Sequence, residues 1–333
     1  MFSNLGLNIA FRLIEREDPK TRLTLVVTSR TLPRVREVID QIESHVKKLK
    51  RPGIVDYDYL LVDFTDMVSV LSAYYELDKK YDAINYFFVN AAQGVYDGID
   101  WVGATKQVCC NIIESVTNPN YRIQRVGVKS RDDLGLVFQA NVFGPYYLIH
   151  KILPLLSAGK AKVVWISSLM SDPKFLSLND IQMIKSDTTY EGSKRLVDLL
   201  HLATYKELRK DAVHQYLVQP GIFISHSFSV YLNLFTYYGM LWLFYIARWI
   251  GSPWHNIEGY KAANAPVYVA NMVDPERQDL KYGSATDRNG REYIKTQEVD
   301  GTGATDVLNY IRKLTLEWDD KLKDQITNTR IPI

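Results

Sequence analysis

Short β-branched runs alternate with helical stretches from residue 22 to residue 223, and nothing else in the chain constrains its fold as tightly. "RLTLVVTSR" (22–30), "YDYLLVDFTD" (57–66), "INYFFVNAAQG" (84–94), "AKVVWISSLMS" (161–171) and "VHQYLVQPGIF" (213–223) read as strands. Between them, 35–49 places Val35, Val38, Ile42 and Val46 on one helical face, and 66–80, 134–153 and 190–208 read as further helices. This order predicts an α/β fold with a doubly wound, mostly parallel sheet covered on both faces. Ligands in such folds bind beyond the carboxyl ends of the strands. Those ends carry Ser29-Arg30, Asp63, Asn90-Ala91-Ala92, Ser167-Ser168 and Pro220-Gly221.

With 333 residues and a net charge of +2, the chain is read as one domain spanning 1–333 with ample core. The near-neutral balance leaves no basic footprint, so nucleic acid is not expected as a partner. Cys109 and Cys110 are the two cysteines, and the six histidines show no metal spacing. No metal site and no disulfide are expected, and no secretory signal is read at the start.

Tyr190 and Lys194 stand four apart at the start of a helix and so share a face. A nearby ammonium favours a phenolate, which makes tyrosine a usable acid–base group. Tyr-x-x-x-Lys is a weak pattern and occurs at Tyr75/Lys79, Tyr147/Lys151 and Tyr190/Lys194. Context separates them: Tyr75 reads as a solvated face and Tyr147 as core. Only Tyr190 follows a strand ending in Ser-Ser. Arg30 ends the strand where an adenosine ribose normally rests; an acid there selects the 2′-hydroxyl, whereas arginine accommodates a 2′-phosphate. With Arg34 nearby, the reading is NADPH over NADH.

"NAAQG", "QANVFGPYYL", "VVWISS", "YEGSKRLVDLL" and "VQPGI" occur in the order found in short-chain dehydrogenases/reductases. Beyond that, "NLGLNIAFRL", "VVTSRTLPRV", "YLLVDFTDMVSV" and "GSPWHNIEGYKAANAPVYV" resemble the fungal 3-keto-steroid reductases of ergosterol synthesis. The resemblance implies a Rossmann-like fold and NADPH-dependent reduction of a sterol 3-ketone to the 3β-alcohol during C-4 demethylation. It implies Tyr190 as proton donor, Lys194 as the residue that lowers its pKa and binds the nicotinamide ribose, and Ser168, with Ser167 as possible substitute, polarising the ketone. Asn141 is implied to hold a water linked to Lys194. For the cofactor it implies Asn4, Gly6, Asn90, Ala91 and Ala92, with Asp63 at the adenine and Pro220, Gly221 and Ser225 over the carboxamide. These roles have structural alternatives: Ser167/Ser168 as a plain strand end, Asp63 as a helix N-cap, Asn141 as a partner for backbone groups in a strand–helix join, and Arg30 as a solvated loop residue. Implied partners are the sterol C-4 demethylation enzymes and oxidosqualene cyclase, at the endoplasmic reticulum membrane and lipid droplets. Reduction of another lipid ketone, or a non-catalytic membrane scaffold, stand as alternatives.

Two stretches, 90–141 and 168–190, are longer than the family pattern and are candidates to wall the substrate cleft or bind a partner. A third, 226–251, runs from His226 to Ala247 without Asp, Glu, Lys or Arg. It is read as an apolar substrate lid that docks on a membrane surface, with Arg248 and Trp249 at the water boundary; a buried core helix is the alternative. At the start, Ser3-Asn4-Leu5-Gly6 reads as a glycine turn opening a helix, with Asn4 and Gly6 in the family's Gly-x-Gly positions. The family's first strand and Thr-Gly do not appear ahead of it. The expectation is therefore a truncated chain or misassigned start, with weak NADPH binding as written.

Overall fold

The computed structural model describes residues 4–224, 231–272 and 277–325. The helices are α1 (Asn4–Arg16), α2 (Leu32–Leu49), α3 (Met67–Lys80), α4 (Trp101–Cys110), α5 (Ile112–Thr117), α6 (Leu136–Phe138), α7 (Gly144–Lys151), α8 (Leu153–Ala158), α9 (Thr189–Leu208), α10 (Leu234–Trp249), α11 (Gly259–Ala262), α12 (Asn264–Ala270) and α13 (Ala304–Leu322). The strands are β1 (Leu23–Ser29), β2 (Val55–Leu61), β3 (Tyr86–Val89), β4 (Tyr96–Ile99), β5 (Arg122–Gln124), β6 (Lys162–Ile166), β7 (His214–Gln219), β8 (Ile222–Phe223), β9 (His255–Ile257), β10 (Lys281–Thr286) and β11 (Glu292–Gln297).

A five-stranded sheet of order β11-β10-β7-β6-β3 forms the centre, parallel except for the β10–β11 hairpin. β1 and β2 form a separate parallel pair, so the described strands make a sheet in two pieces. The fifth strand, read over 213–223 as ending at Pro220-Gly221, does end there. β7 stops at Gln219, and Ile222 and Phe223 pair instead with β9. Proline cannot donate to a ladder, and Gly221 turns the chain at φ +68°.

Helices cover both faces of the central sheet. On one side Trp165, Val163 and Leu217 pack under α3, α7, α9 and α13, through residues such as Met67, Tyr147, Leu196 and Ile311. On the other, Val164, Ile166, Tyr216 and Val218 meet α1 and α12 through Leu5, Ile9, Leu13 and Val267. Each such side chain contributes about 1.5–3 kcal/mol on burial. Helix α1 also joins the two pieces of sheet: its Ile14 forms a core with Val38 and Ile42 of α2, and Leu23, Leu25 and Val27 of β1 pack against the same cluster. Asn4, Leu5 and Gly6 belong to α1 and do not form the turn expected of them.

The 134–153 segment is not one regular helix. Gln139–Phe143 is a π-turn between α6 and α7, which bulges the backbone around Asn141. The helix α3 is capped by Asp66, whose carboxylate accepts from Val68 N (3.0 Å) and Ser69 N. Asp63 therefore does not cap it. Its carboxylate accepts from the backbone N and hydroxyl of Thr65, closing a turn. Asp66→Ala should lower stability by about 1 kcal/mol, read as a lower urea midpoint, whereas Asp63→Ala should leave α3 intact by circular dichroism.

Candidate active site

Tyr190 and Lys194 sit one turn apart at the start of α9, beyond the end of β6. The Lys194 Nζ is buried, donates to the Ile166 carbonyl at 2.8 Å, and lies 5.6 Å from the centre of the Tyr190 ring. Burial disfavours its charge and lowers its pKa to about 8; Asp198 opposes that shift and Lys281 adds to it. Burial pushes the Tyr190 phenol up to about 12, with Arg122 acting against the rise and Glu191 adding to it. Arg122 is thus a second cation acting on the phenol, beside Lys194, whose amine lies next to the ring. At neutral pH Tyr190 carries its proton and Lys194 its charge, the states a proton donor and a nearby cation require.

Ser168 and Ser167 are distinguished by burial. Ser167 is buried and its hydroxyl donates to Asp198. Ser168 is half-buried, and its Oγ accepts from Met170 N at 3.1 Å. Ser167 is therefore committed elsewhere and is a poor substitute for Ser168. Asn141 is buried; its Nδ2 donates to Gln93 O (2.8 Å) and Ser193 Oγ (2.9 Å), and its Oδ1 accepts from Gln93 N (2.7 Å). Both amide protons are used; the bonds to the Gln93 backbone are those of the backbone-partner alternative, and the bond to Ser193 is to a side-chain hydroxyl. A water on Asn141 has only the carbonyl oxygen to address.

Asn90 ends β3 with its Oδ1 buried and without a partner among the described residues. A Cβ on Gly6 would come within 2.8 Å of Asn90 Nδ2, so α1 approaches this strand end through a residue with no side chain. Ala91 and Ala92 follow, exposed. Arg30 is exposed just past β1, with no ion pair among the described residues, while Arg34 pairs with Glu37. Pro220 is buried, and its carbonyl accepts from Asn256 Nδ2 at 2.7 Å. Ser225 lies outside the described residues, as does the side chain of Asn4.

The first insertion folds onto the catalytic helix. Its β4–β5 pair brings Gln124 to α9, where Oε1 accepts from Tyr190 N and Thr189 Oγ1, both at 2.9 Å, and Nε2 donates to Glu191. The same strand supplies Arg122. Tyr231 donates from its hydroxyl to the Tyr96 carbonyl at 2.8 Å, joining this pair to the start of the lid region. Length was the only sequence signal for these residues. Asp198 and Lys281 were also missed, although Asp198 repeats the four-residue spacing after Lys194. The other two Tyr/Lys pairs separate as context predicted: Tyr75 is exposed, and Tyr147 is buried and donates to Asp319.

Within the segment expected to be a lid, Leu234–Trp249 forms α10. Phe244 and Ala247 are buried against Val116 of α5 and Ile257. Leu234, Phe235, Tyr238 and Trp242 are exposed, Phe235 at 86%. Arg248 is not at a water boundary: it is buried and donates to the carbonyls of His255 (2.8 Å) and Asn256 (2.6 Å). Trp249 is exposed. Among the described residues no helix is long and apolar enough to cross a membrane.

Fold and site together define a Rossmann-type reductase of the short-chain dehydrogenase/reductase class. Among solved structures, the L-sorbose reductase of Gluconobacter frateurii, complexed with NADPH and L-sorbose, matches with a TM-score of 0.58 at 14% identity over 86% of this chain and 92% of that one. YwfH, an NADPH-dependent reductase of bacilysin biosynthesis, matches at TM-score 0.57 and 13% identity, covering 88% and 96%. No protein-family model matches. The 3-keto-steroid reductase of Candida glabrata is 71% identical over 99% of this chain and 96% of its own length, and that of Kluyveromyces lactis is 69% identical with the same coverage. The chain belongs to the 3-keto-steroid reductases.

Proposed function

We propose that this chain reduces a sterol 3-ketone to the 3β-alcohol in ergosterol synthesis, with NADPH as reductant. The observation that carries the reading is Tyr190 one helical turn from the buried Lys194 at a strand end, in a chain of this family. Bound nicotinamide supplies the hydride that adds to the carbonyl carbon. Tyr190 gives its proton to the carbonyl oxygen, and the phenolate left behind is stabilised by the cations of Lys194 and Arg122. The Ser168 hydroxyl, at the mouth of the same strand end, donates a hydrogen bond to that oxygen.

The residues fit a dinucleotide. Gly6 lets the first turn of α1 sit directly against Asn90 after β3, and Asn90 Oδ1 is buried there without a partner among the described residues; a helix N-terminus at this place favours a phosphate. Arg30 supplies the charge for a 2′-phosphate. Ala91 and Ala92 follow the end of β3 and Pro220-Gly221 the end of β7, positions suited to the nicotinamide end of the cofactor, and Asp63 is assigned to the adenine by resemblance.

The exposed aromatic face of α10 is read as docking on a lipid surface. Phe235, Tyr238 and Trp242 project from a segment without charge, and such side chains favour the bilayer interface. A sterol then enters from the bilayer without crossing water. The matching location is the endoplasmic reticulum membrane and lipid droplet, with the C-4 demethylation enzymes and oxidosqualene cyclase as neighbours.

Membranes carrying the chain should convert a 4-methyl 3-ketosterol with NADPH to the 3β-alcohol, and Tyr190→Phe should cut turnover by about 100-fold or more with an unchanged circular dichroism spectrum; normal kcat in the variant would remove the assignment. Arg30→Asp should lower kcat/KM for NADPH by about tenfold, one charge-assisted hydrogen bond, and spare NADH. Equal loss with both cofactors would count against the 2′-phosphate contact. Phe235→Glu/Trp242→Glu should abolish co-flotation with phosphatidylcholine vesicles, and unchanged flotation would rule out docking through this face.

A further inference from the structure

Asp198 lies one turn after Lys194 on α9, and both are buried. Its Oδ2 accepts from Ser171 Oγ and from Lys281 Nζ, each at 2.7 Å, and its Oδ1 accepts from Ser167 Oγ. Lys281 also donates to Ser171 Oγ at 2.7 Å. Three elements therefore converge on one carboxylate: the catalytic helix, the turn after β6, and the first residue of β10. The pair is almost fully enclosed, with side-chain exposures of 2% and 6%.

A buried ion pair is a poor way to gain stability, because desolvation consumes most of the attraction and apolar residues fill the same space as well. What this pair supplies is geometry and field. Ser167 and Ser171 bracket Ser168, and the Ser168 carbonyl also accepts from Ser171 Oγ at 3.3 Å. The turn carrying Ser168 is thus held from both sides by groups bonded to Asp198. Lys194 meanwhile faces two opposite charges, Asp198 from its own helix and Lys281 from β10, with the Tyr190 ring beside it and the uncharged Ile166 carbonyl on its amine. Arg195 acts on Lys281 from the other side and faces Asp300 at 3.7 Å.

We propose that Asp198, paired with Lys281, is a positioning residue of the reductase: it fixes the Ser167–Ser171 turn that presents Ser168 and sets the electrostatic surroundings of Lys194. The inference rests on the roles given above to Ser168 and Lys194. The two partners act on Lys194 with opposite sign. Loss of the Asp198 charge disfavours the ammonium and moves its titration to lower pH; loss of the Lys281 charge favours it and moves the titration to higher pH.

The test is the 15N titration of the Lys194 amine in the full chain, its signal assigned by disappearance in Lys194→Arg. Against a wild-type midpoint near pH 8, Asp198→Asn should move the midpoint down and Lys281→Met should move it up, each by about one unit. The alkaline limb of kcat should follow in the same directions, because turnover falls as Lys194 loses its proton. A merely structural role moves neither midpoint. Folded variants with unshifted midpoints, or with shifts of the same sign, would overturn the proposal. If Asp198→Asn does not fold, Lys281→Met alone decides. The titration needs neither substrate nor cofactor, so an inactive wild type would remove the reductase reading without touching this result.

Discussion

The site depends on one buried hydrogen bond, from the Lys194 amine to the Ile166 carbonyl. An ammonium removed from water loses far more than one carbonyl restores, so the lysine sits close to neutral pH in its titration. That single contact also fixes the register between α9 and the end of β6. Once it is made, Tyr190 is one helical turn further out and Ser168 is two residues beyond the carbonyl. Tyr190 and Lys194 are placed by the helix, while Ser168 sits on the turn that Asp198 holds through Ser167 and Ser171.

The long insertion after β3 supports this arrangement from outside. Helix α9 begins without a side-chain cap of its own at Thr188. Gln124 takes over that task from a distant strand, accepting the Tyr190 backbone N–H. The insertion is therefore packed against Tyr190 and brings Arg122 with it. Its contact with Tyr231 ties the same strand pair to the entry of the lid region, so catalytic helix, insertion and lid share one set of hydrogen bonds.

The fold was legible because periodicity reports burial. Val35, Val38 and Ile42 face the core as their spacing requires, and the β-branched runs are the sheet. Boundaries and roles that depend on a competing local bond were not. Asp63 and Asp66 are chemically identical N-caps on paper; the turn closed by Thr65 spends one and leaves the other to cap α3. Asn141 sits where sequence placed it, yet the π-turn aims its amide at Gln93 and Ser193. Arg248 reads as a boundary charge at the end of an apolar run, and only tertiary structure shows two backbone carbonyls waiting for it. Long-range partners such as Lys281, 83 residues after Asp198, leave no local pattern.

Arg248 explains how α10 can be both part of the domain and available to a lipid surface. A fully buried core helix would place apolar residues inward along its whole length. Here the inward residues Phe244, Ala247 and Arg248 are confined to the C-terminal half. Arg248 fastens that half to the backbone next to β9, where its bonds to carbonyls replace water. The N-terminal half, with Leu234, Phe235 and Tyr238, has no such anchor and exposes its apolar side chains. Under the proposed docking, that half is the one to enter the bilayer interface, where burial of the same side chains becomes favourable. The anchored half keeps the lid in register with Pro220, whose carbonyl is held by Asn256, the residue whose own carbonyl binds Arg248. The α10 helix and the strand end are thus linked through one short run of hydrogen-bonded backbone.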